Sequence, residues 1–275
     1  MPDPSPPISF SSRGDPKRCS EQSPAAAMVL AAGLGTRMRP LTARRPKALV
    51  SFLGRPLLAH VLDRLAGAGV MRVIINTHHH ADQIAAFVAD YDGPLALVLS
   101  REEDAPLESG GGVKKARPLL GDAPVFVVNC DSFWRDGPRP ALTRLARFWD
   151  PAKMDMLWLL APTVTAIGYR GRGDVFCAPD GRLRFPDERW VTPFAFTGVQ
   201  ILKPNLVATM PGKRFSLTAC ARRIAEKGRL FGLVHDGFWA HLGDPQALRE
   251  AAALLKEVLP EGGGAQAVAP VREEA

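Results

Sequence analysis

Cysteine is scarce in this chain, with residues only at positions 19, 130, 177 and 220 of 275. No two of them form the Cys-x-x-Cys pair that is typical of structural zinc sites. A disulfide framework is also unexpected, because such frameworks belong to small secreted domains that are rich in cysteine. We therefore expect a protein that keeps its thiols reduced, in the cytoplasm.

Long apolar runs are missing as well. No stretch approaches the roughly 18 to 20 apolar residues that are needed to cross a bilayer. The N-terminus lacks the charged and then apolar pattern of a secretory signal. The hydrophobic fraction of 46% is that of an ordinary soluble globular protein, so we expect no membrane partner.

Acidic residues are fewer than basic ones, 28 against 35, which gives a formal net charge of +7. The two ends of the chain are neutral or acidic, so the residues between them carry about +9. Nucleic acid and an acidic small ligand such as a nucleotide both suit that charge, and charge alone does not choose between them. Because the cations are not interleaved with aromatic residues, we expect no nucleic-acid partner.

The ends of the chain differ in composition from the middle. Residues 1–24 are rich in Pro and Ser and are predicted to be a disordered extension. Residues 261–275 begin with a glycine run and are predicted to be a flexible tail. Residues 25–260 are predicted to form a single domain. The sequence does not indicate an oligomeric state.

Apolar strands and amphipathic helices alternate through the middle of the chain. This pattern predicts an α/β fold with parallel βαβ units and helices on both faces of an open sheet. Strands are predicted at 27–32, 72–76, 95–100, 125–128, 156–161, 175–178, 194–202 and 230–234, and helices at 56–65, 82–89, 112–120, 216–227 and 245–258. Ligands of such sheets bind beyond the carboxyl ends of the strands. That rule brings the residues after four of the strands into one cleft.

A glycine turn follows the first predicted strand. Gly33 and Gly35 let the backbone pass close to a ligand, and successive N–H groups in such a turn can converge on phosphate oxygens. Arg37 and Lys47 add positive charge, so a polyphosphate can be held from two sides. The turn lacks the third glycine of a dinucleotide fingerprint and the Gly-Lys-Ser/Thr ending of a P-loop.

The segment from Leu30 to Val50 resembles the signature of sugar-1-phosphate nucleotidyltransferases, which runs Gly-x-Gly-Thr-Arg, Pro-Leu-Thr and Pro-Lys. All three elements are present in order. The resemblance covers about residues 25–258. It implies a Rossmann-like, mixed and mostly parallel sheet of the nucleotide-diphospho-sugar transferase type. It also implies that Ala32 and Thr36 join Gly33, Gly35, Arg37 and Lys47 in binding the nucleotide.

Asp131 stands at the end of another buried strand, two residues after Asn129. A carboxylate at that place is a natural Mg²⁺ ligand, and a cap for the following turn is an equally good interpretation of the segment alone. The resemblance implies the metal role for Asp131 and a nucleotide contact for Asn129. We therefore expect Mg²⁺ as the cofactor, with Mn²⁺ as the alternative.

Residues 107–112 read LESGGG. Three glycines that open a helix can present backbone groups to a flat ligand, and Glu108 can accept from a ring N–H or a sugar hydroxyl. A flexible loop is the alternative. The segment resembles the Leu-Glu-Thr-Gly-Gly-Gly of bacterial N-acetylmuramate 1-phosphate uridylyltransferases, which implies nucleotide contacts for Glu108 and Gly111.

Two more segments resemble that group, residues 169–174 (YRGRGD) and 196–198 (FTG). The resemblance assigns Gly173, Asp174, Thr197 and Gly198 to the sugar-phosphate side. Taken alone, YRGRGD is typical of a solvated turn.

The chain departs from the family near residue 241. The family shows Trp-x-Asp-x-Gly-Thr, whose Asp is a second metal ligand, and this chain reads WAHLGD from Trp239. His241 takes the place of the Asp, and imidazole suits Mn²⁺ or Zn²⁺ better than Mg²⁺. Three arrangements stay open: His241 contacts the phosphate or metal, Asp244 reaches the ion, or Asp131 holds it with waters.

The roles of two further groups of basic residues stay open. The lysine of the family's Glu-Lys-Pro segment is missing, and only Arg184 and Arg189 are near its place. His78 to His80 are predicted to lie in a solvated turn, with contact to the acceptor sugar as the alternative, because consecutive residues are not spaced like a metal triad.

The resemblance implies transfer of a nucleotidyl group from UTP to a sugar 1-phosphate, with Arg37, Lys47 and Asp131 as catalytic residues. N-acetylmuramate 1-phosphate is the expected acceptor, as part of cell-wall sugar recycling. A mannose 1-phosphate guanylyltransferase is the alternative within the class. A nucleotide-sugar-binding regulatory subunit without catalysis is the alternative outside it.

Overall fold

The computed structural model describes residues 23–187 and 189–258. The predicted N-terminal extension, apart from its last two residues, and the predicted tail from residue 261 lie outside the described residues. The strands are β1 Ala26–Leu30, β2 Ser51–Phe52, β3 Arg55–Pro56, β4 Arg72–Thr77, β5 Ala96–Arg101, β6 Val125–Asn129, β7 Ser132–Arg135, β8 Met156–Pro162, β9 Phe176–Cys177, β10 Leu183–Arg184, β11 Phe194–Leu202, β12 Leu230–Val234 and β13 Phe238–His241. The helices are α1 Leu57–Gly67, α2 Ala81–Ala89, α3 Glu108–Leu120, α4 Ala141–Phe148, α5 Asn205–Ala208, α6 Leu217–Glu226 and α7 Pro245–Val258.

Seven strands form the central sheet in the order β12-β8-β11-β6-β1-β4-β5. All neighbouring pairs are parallel except the two that involve β11, which runs antiparallel to β6 and β8. The sheet is therefore mixed and mostly parallel, as the sequence predicted.

Both faces of the sheet are covered, because successive strand residues enter different cores. Ala27 and Val29 of β1 pack into one core with α1 and α4. Met28 between them packs into the other core with α3 and α6. This confirms the predicted helices on both faces. No helix in residues 23–187 and 189–258 is long and apolar enough to span a membrane.

A separate two-stranded ribbon lies at the cleft side of the sheet. β7 pairs antiparallel with β13, with His241 opposite Ser132. A third apolar cluster, which contains Phe133, Leu242 and Leu248, packs this ribbon against α7. The ribbon brings the C-terminal part of the chain to the end of β6.

The sequence prediction was wrong at several elements. It missed β7, β13 and α4, it made β9 longer than two residues, and it began α3 at Gly112 instead of Glu108. The helix starts earlier because Gly110 and Gly111 are buried within its first turn, where both N–H groups donate to the carbonyl of Phe215.

Candidate active site

A cavity of about 430 Å³ opens at the carboxyl ends of β1, β4, β5 and β6. This is the place that the strand-end rule predicts for a ligand. Nine residues that the sequence predicted for the site line it: Ala32, Gly33, Gly35, Thr36, Arg37, Lys47, Glu108, Asn129 and Asp131.

Residues 31–37, which we call the phosphate loop, form one wall of the cavity. In the described part of the chain, no acceptor takes a hydrogen bond from the backbone N–H groups of residues 33 to 37. Gly35 has a φ of +62°, and a Cβ atom there would lie 2.9 Å from Thr42 Cγ2. The Thr42 hydroxyl donates to the Gly35 carbonyl at 2.7 Å. Glycine is thus required at 35, and the loop lines the cavity with N–H groups that no acceptor in the described residues takes.

Lys47 lies below this loop, in a 3-10 turn, and only 8% of its surface is exposed. Its Nζ atom is 2.6 Å from Asp131 Oδ2. Arg37 is exposed at the rim of the same cavity. The three predicted catalytic residues therefore line one cavity, with Lys47 buried and Arg37 exposed.

Asp131 follows β6 and is held from two sides. Its carbonyl accepts from the Leu242 N–H at 2.9 Å, and its carboxylate accepts from Lys47. Burial by itself would raise the pKa of Asp131, but the charge of Lys47 and its hydrogen bond outweigh burial and lower the pKa. The carboxylate is therefore ionised at neutral pH.

His241 is the second group beside Asp131, with Nδ1 4.0 Å from Asp131 Oδ2. Burial lowers the pKa of His241, and the nearby cations Lys47 and Arg37 lower it further, against the attraction of Asp131. The imidazole is therefore neutral near pH 7 and keeps a nitrogen lone pair for a ligand.

Asp244 does not share this position. One of its carboxylate oxygens accepts from the Ala247 N–H at 2.9 Å at the start of α7, and the other is 3.9 Å from Arg170 Nε. These contacts make Asp244 the N-cap of α7. The structure thus gives Asp244 a structural role at the start of α7, and its role as the second metal ligand stays a prediction.

The side chains at the cavity suit a metal site in which substrate and water supply most of the ligands. Residues 23–187 and 189–258 contain no group of three or more His, Cys, Asp or Glu side chains that could hold an ion. Mg²⁺ needs only one or two protein carboxylates when substrate phosphates and water supply the other oxygens. Asp131 fits that requirement, and the cavity does not fit a metal held by the protein alone.

Glu108 and Gly111 were predicted together but lie in different surroundings. Glu108 is exposed at the cavity, where Arg214 Nε donates to it at 3.1 Å. Gly111 is buried, its N–H donates to the Phe215 carbonyl at 3.1 Å, and it does not line the cavity. The Gly111 N–H is therefore already bonded within the protein, and the predicted nucleotide contact of this residue stays a prediction.

The four residues predicted for the sugar-phosphate side do not line the cavity. Thr197 is 2% exposed and its hydroxyl donates to the Leu159 carbonyl at 2.8 Å, so its side chain cannot contact a sugar. Gly198 packs under Asn129. Gly173 has a φ of +85° and packs against Thr192.

Asp174 serves the turn that the isolated YRGRGD motif indicated. Its carboxylate accepts from the Phe196 N–H at 2.8 Å. Burial raises the pKa of this carboxyl above its usual value, and the Phe196 N–H and the Tyr169 hydroxyl only partly oppose that rise. Asp174 lies outside the cavity, where it holds the backbone of β11.

The other basic candidates also lie elsewhere. The Arg184 guanidinium stacks 5.0 Å from the centre of the Phe176 ring, away from the cavity, and Arg189 is exposed. His78 Nδ1 is bonded to the Glu102 carbonyl at 2.6 Å. None of these residues, nor His79 or His80, lines the cavity.

Sequence reasoning missed Asn76 and Glu102, which line the cavity and are almost fully buried. Both stand at strand carboxyl ends, and the strand-end rule brought these ends into the cleft without singling out either side chain. Cys130 also lines the cavity, but burial raises the pKa of its thiol to about 12 and it cannot act as a nucleophile.

Known proteins resemble this chain in sequence and in fold. The family described as MobA-like NTP transferase domain matches residues 27–158. The N-acetylmuramate alpha-1-phosphate uridylyltransferase of Caulobacter vibrioides is 46% identical over 239 residues, which are 86% of this chain and 99% of that protein. The protein of the same name from Neisseria meningitidis is 34% identical over 83% of this chain and 97% of its own length.

Solved structures show the same architecture. A UDP-glucose pyrophosphorylase complexed with UDP-glucose superposes with a TM-score of 0.71 at 18% identity, over 85% of this chain and 99% of that one. Its likeness concerns the fold, while the identity to the two uridylyltransferases extends over nearly their whole length. The chain therefore belongs to the sugar-1-phosphate nucleotidyltransferases, in the family of the N-acetylmuramate alpha-1-phosphate uridylyltransferases.

Proposed function

We propose that this protein transfers UMP from UTP to N-acetylmuramate 1-phosphate and releases pyrophosphate. One observation carries the proposal: the free N–H groups of the phosphate loop, Lys47 and Asp131 converge on a single cavity. The full-length relatives that bear this activity in their names supply the choice of substrates.

The reaction is an in-line displacement at phosphorus. A phosphate oxygen of the sugar 1-phosphate forms a bond to the α-phosphorus of UTP, and the bond from that phosphorus to the bridging oxygen of the β-phosphate breaks. Pyrophosphate leaves with the bonding electron pair. The attacking phosphate is already ionised near pH 7, so no general base is needed and catalysis consists of positioning and charge stabilisation.

The protein groups divide this work by position. The N–H groups of the phosphate loop bind the triphosphate, and Arg37 at the rim neutralises the departing pyrophosphate. Lys47 stabilises the negative charge that develops between the α- and β-phosphates. Because Lys47 is buried and fixed by Asp131, it is already oriented before the substrate arrives.

Mg²⁺ would be held by Asp131 and substrate oxygens, and it would reduce the repulsion between the two phosphates that react. The neutral imidazole of His241 offers a nitrogen donor in place of the family's second carboxylate. That donor fits Mn²⁺ better than Mg²⁺, so we propose that Mn²⁺ also supports the reaction.

We place the enzyme in the cytoplasm, in the recycling of cell-wall sugars, because UTP and a sugar phosphate are both small anionic metabolites. The net charge of +7 suits these substrates without a nucleic-acid partner. A guanylyltransferase for mannose 1-phosphate is less well supported, since two relatives matched over nearly their whole length are uridylyltransferases. A regulatory subunit without catalysis is opposed by the assembled set of Arg37, Lys47 and Asp131.

The test is pyrophosphate release by the purified full chain with Mg²⁺ or Mn²⁺, in a matrix of four NTPs against several sugar 1-phosphates. UTP with N-acetylmuramate 1-phosphate should give the highest kcat/KM. A clear preference for GTP with mannose 1-phosphate would support the guanylyltransferase instead. Binding of UTP without turnover of any pair would support the regulatory subunit.

A further inference from the structure

Two buried polar residues connect opposite walls of the cavity. Asn76 stands at the end of β4 and Glu102 follows β5, and both are 3% exposed. The Ala31 N–H of the phosphate loop donates to Asn76 Oδ1 at 2.8 Å, and Asn76 Nδ2 donates to Glu102 Oε1 at 2.7 Å. Glu102 Oε2 then accepts from the Leu107 N–H at 2.7 Å. We call this chain of three hydrogen bonds the relay.

The direction of every bond in the relay is fixed. A backbone N–H can only donate, so the Asn76 atom that faces Ala31 is the oxygen and the atom that faces Glu102 is the nitrogen. Both oxygens of Glu102 accept, so the carboxylate has no oxygen without a protein partner. Glu102 therefore holds protein groups in place, although it lines the cavity.

Helix α3 approaches the relay closely at Gly112. A Cβ atom on this glycine would lie 2.8 Å from Asn76 Nδ2 and 2.9 Å from Glu102 Oε1. Real Cβ atoms do not come that close to such atoms, so a larger residue would push the relay apart. Close packing against the relay thus requires a glycine at position 112, the third glycine of the LESGGG segment.

We propose that Asn76 and Glu102 are positioning residues that set the distance between the phosphate loop and the wall formed by residues 102–109. The relay starts at Ala31 and ends at Leu107, and Ala32, Gly33, Glu108 and Ser109 beside these ends line the cavity. A nucleotide that lies between the two walls needs both at a fixed separation. This inference rests on the proposed function for the identity of the nucleotide.

A charge-neutral exchange tests the relay. In Glu102→Gln the new NH₂ group faces one of the two donors to this side chain, which are Asn76 Nδ2 and the Leu107 N–H. In Asn76→Asp a carboxylate oxygen replaces Nδ2 and faces Glu102 Oε1. Each single variant therefore breaks one bond. In the double variant N76D/E102Q all three bonds can form again. The new carboxylate at position 76 accepts from the Ala31 N–H and from the new amide at position 102, and the oxygen of that amide accepts from the Leu107 N–H. The pair carries one negative charge in both the original and the exchanged form.

We expect each single variant to raise KM for UTP by about 10- to 100-fold. KM for the sugar 1-phosphate should change little. The double variant should return KM for UTP to near the wild-type value. Unchanged KM for UTP in folded single variants would overturn the proposal, and so would a double variant that is as impaired as the singles.

Two additional measurements keep the test decisive. If the single variants do not fold, Gly112→Ala takes their place, with Gly67→Ala as the control because a Cβ at this helical glycine meets nothing within 4 Å. Raised KM for UTP in G112A supports the relay, and unchanged KM overturns it. UTP affinity from calorimetry follows the same pattern and replaces KM if the wild-type protein turns over no pair, so failure of the proposed function is recognised separately.

Discussion

Lys47 Nζ lies 2.6 Å from Asp131 Oδ2, so these two predicted catalytic residues neutralise each other in the free protein. The surroundings hold both residues in place, because Lys47 is buried under the phosphate loop and the backbone of Asp131 is bonded to Leu242 at the end of β6. A polyphosphate that entered the cavity would compete with Asp131 for the ammonium group. In the free protein the ion pair keeps both groups in position.

Lys47→Ala should lower kcat by about 100-fold or more, the range seen when one preorganised donor is removed from a reaction site. The pKa of Asp131 should rise, since the lysine charge that lowers it is gone. Pyrophosphate release measures the first effect. The matched control is Lys153→Ala, which removes an exposed Lys–Asp pair and should leave kcat unchanged.

Asp131→Asn should remove most activity with either Mg²⁺ or Mn²⁺, because an amide of the same shape lacks the charge that a divalent ion requires. The circular dichroism spectrum should stay that of the wild-type protein. Asp150→Asn, which changes a half-buried carboxylate that does not line the cavity, is the control. Wild-type turnover by Asp131→Asn would refute the metal role of this residue.

The stability of the protein should fall as the pH decreases from about 7 to 5, in part because of His241. Its folded pKa is lowered by burial, so below the unfolded value of about 6.5 the unfolded chain binds more protons than the folded one. His241→Gln removes this contribution. The difference in Tm between wild type and variant, measured from pH 5 to 8, should change through that window. A difference that is constant with pH would contradict the lowered pKa.

Gly198→Ala should lower both stability and activity. Gly198 has a φ of +84°, and a Cβ there would lie 2.8 Å from Asn129 Nδ2 at the cavity. Gly228→Ala is the control, because its φ is +65° but nothing lies within 4 Å. The shared backbone strain of about 1 to 2 kcal/mol should lower Tm in both variants. Only Gly198→Ala should also reduce kcat/KM, and equal kcat/KM in the two would disprove the role of this contact.

Asp244→Ala should behave as the loss of a helix cap. We expect a cost of about 1 kcal/mol, or roughly 2 to 4 °C in Tm, with kcat/KM almost unchanged. Asp244→Asn and Asp244→Ser, which can also cap the helix, should recover most of the Tm. A large loss of activity with an altered requirement for metal would instead make Asp244 a ligand.

The phosphate loop was predictable because its chemistry is local. The glycines, Arg37 and Lys47 lie within fifteen residues and act through backbone shape and charge. The strand-end rule then placed Asn129 and Asp131 at the same cavity without knowledge of any distance. These parts of the site can be predicted because each depends on a short segment and not on contacts with distant residues.

The features that the sequence did not predict depend on contacts between distant segments. No local pattern shows that β7 pairs with β13, or that Phe215 takes the N–H groups of Gly110 and Gly111. Thr197 was assigned to the sugar side, yet the neighbouring strand β8 takes its hydroxyl. In each case a tertiary hydrogen bond decides the role of a residue, and its partner cannot be found from spacing alone.

The ribbon of β7 and β13 also bears on the order in which the protein becomes active during synthesis. Trp239 of the ribbon donates to the Ser132 hydroxyl 107 residues earlier, and Leu242 donates to the Asp131 carbonyl. A chain still attached to the ribosome can form the β1–β4–β5 part of the sheet and the phosphate loop while Asp131 lacks this support. The Asp131 carbonyl gains its hydrogen bond from Leu242 only after β13 has left the ribosome, so this edge of the cavity is completed late in synthesis.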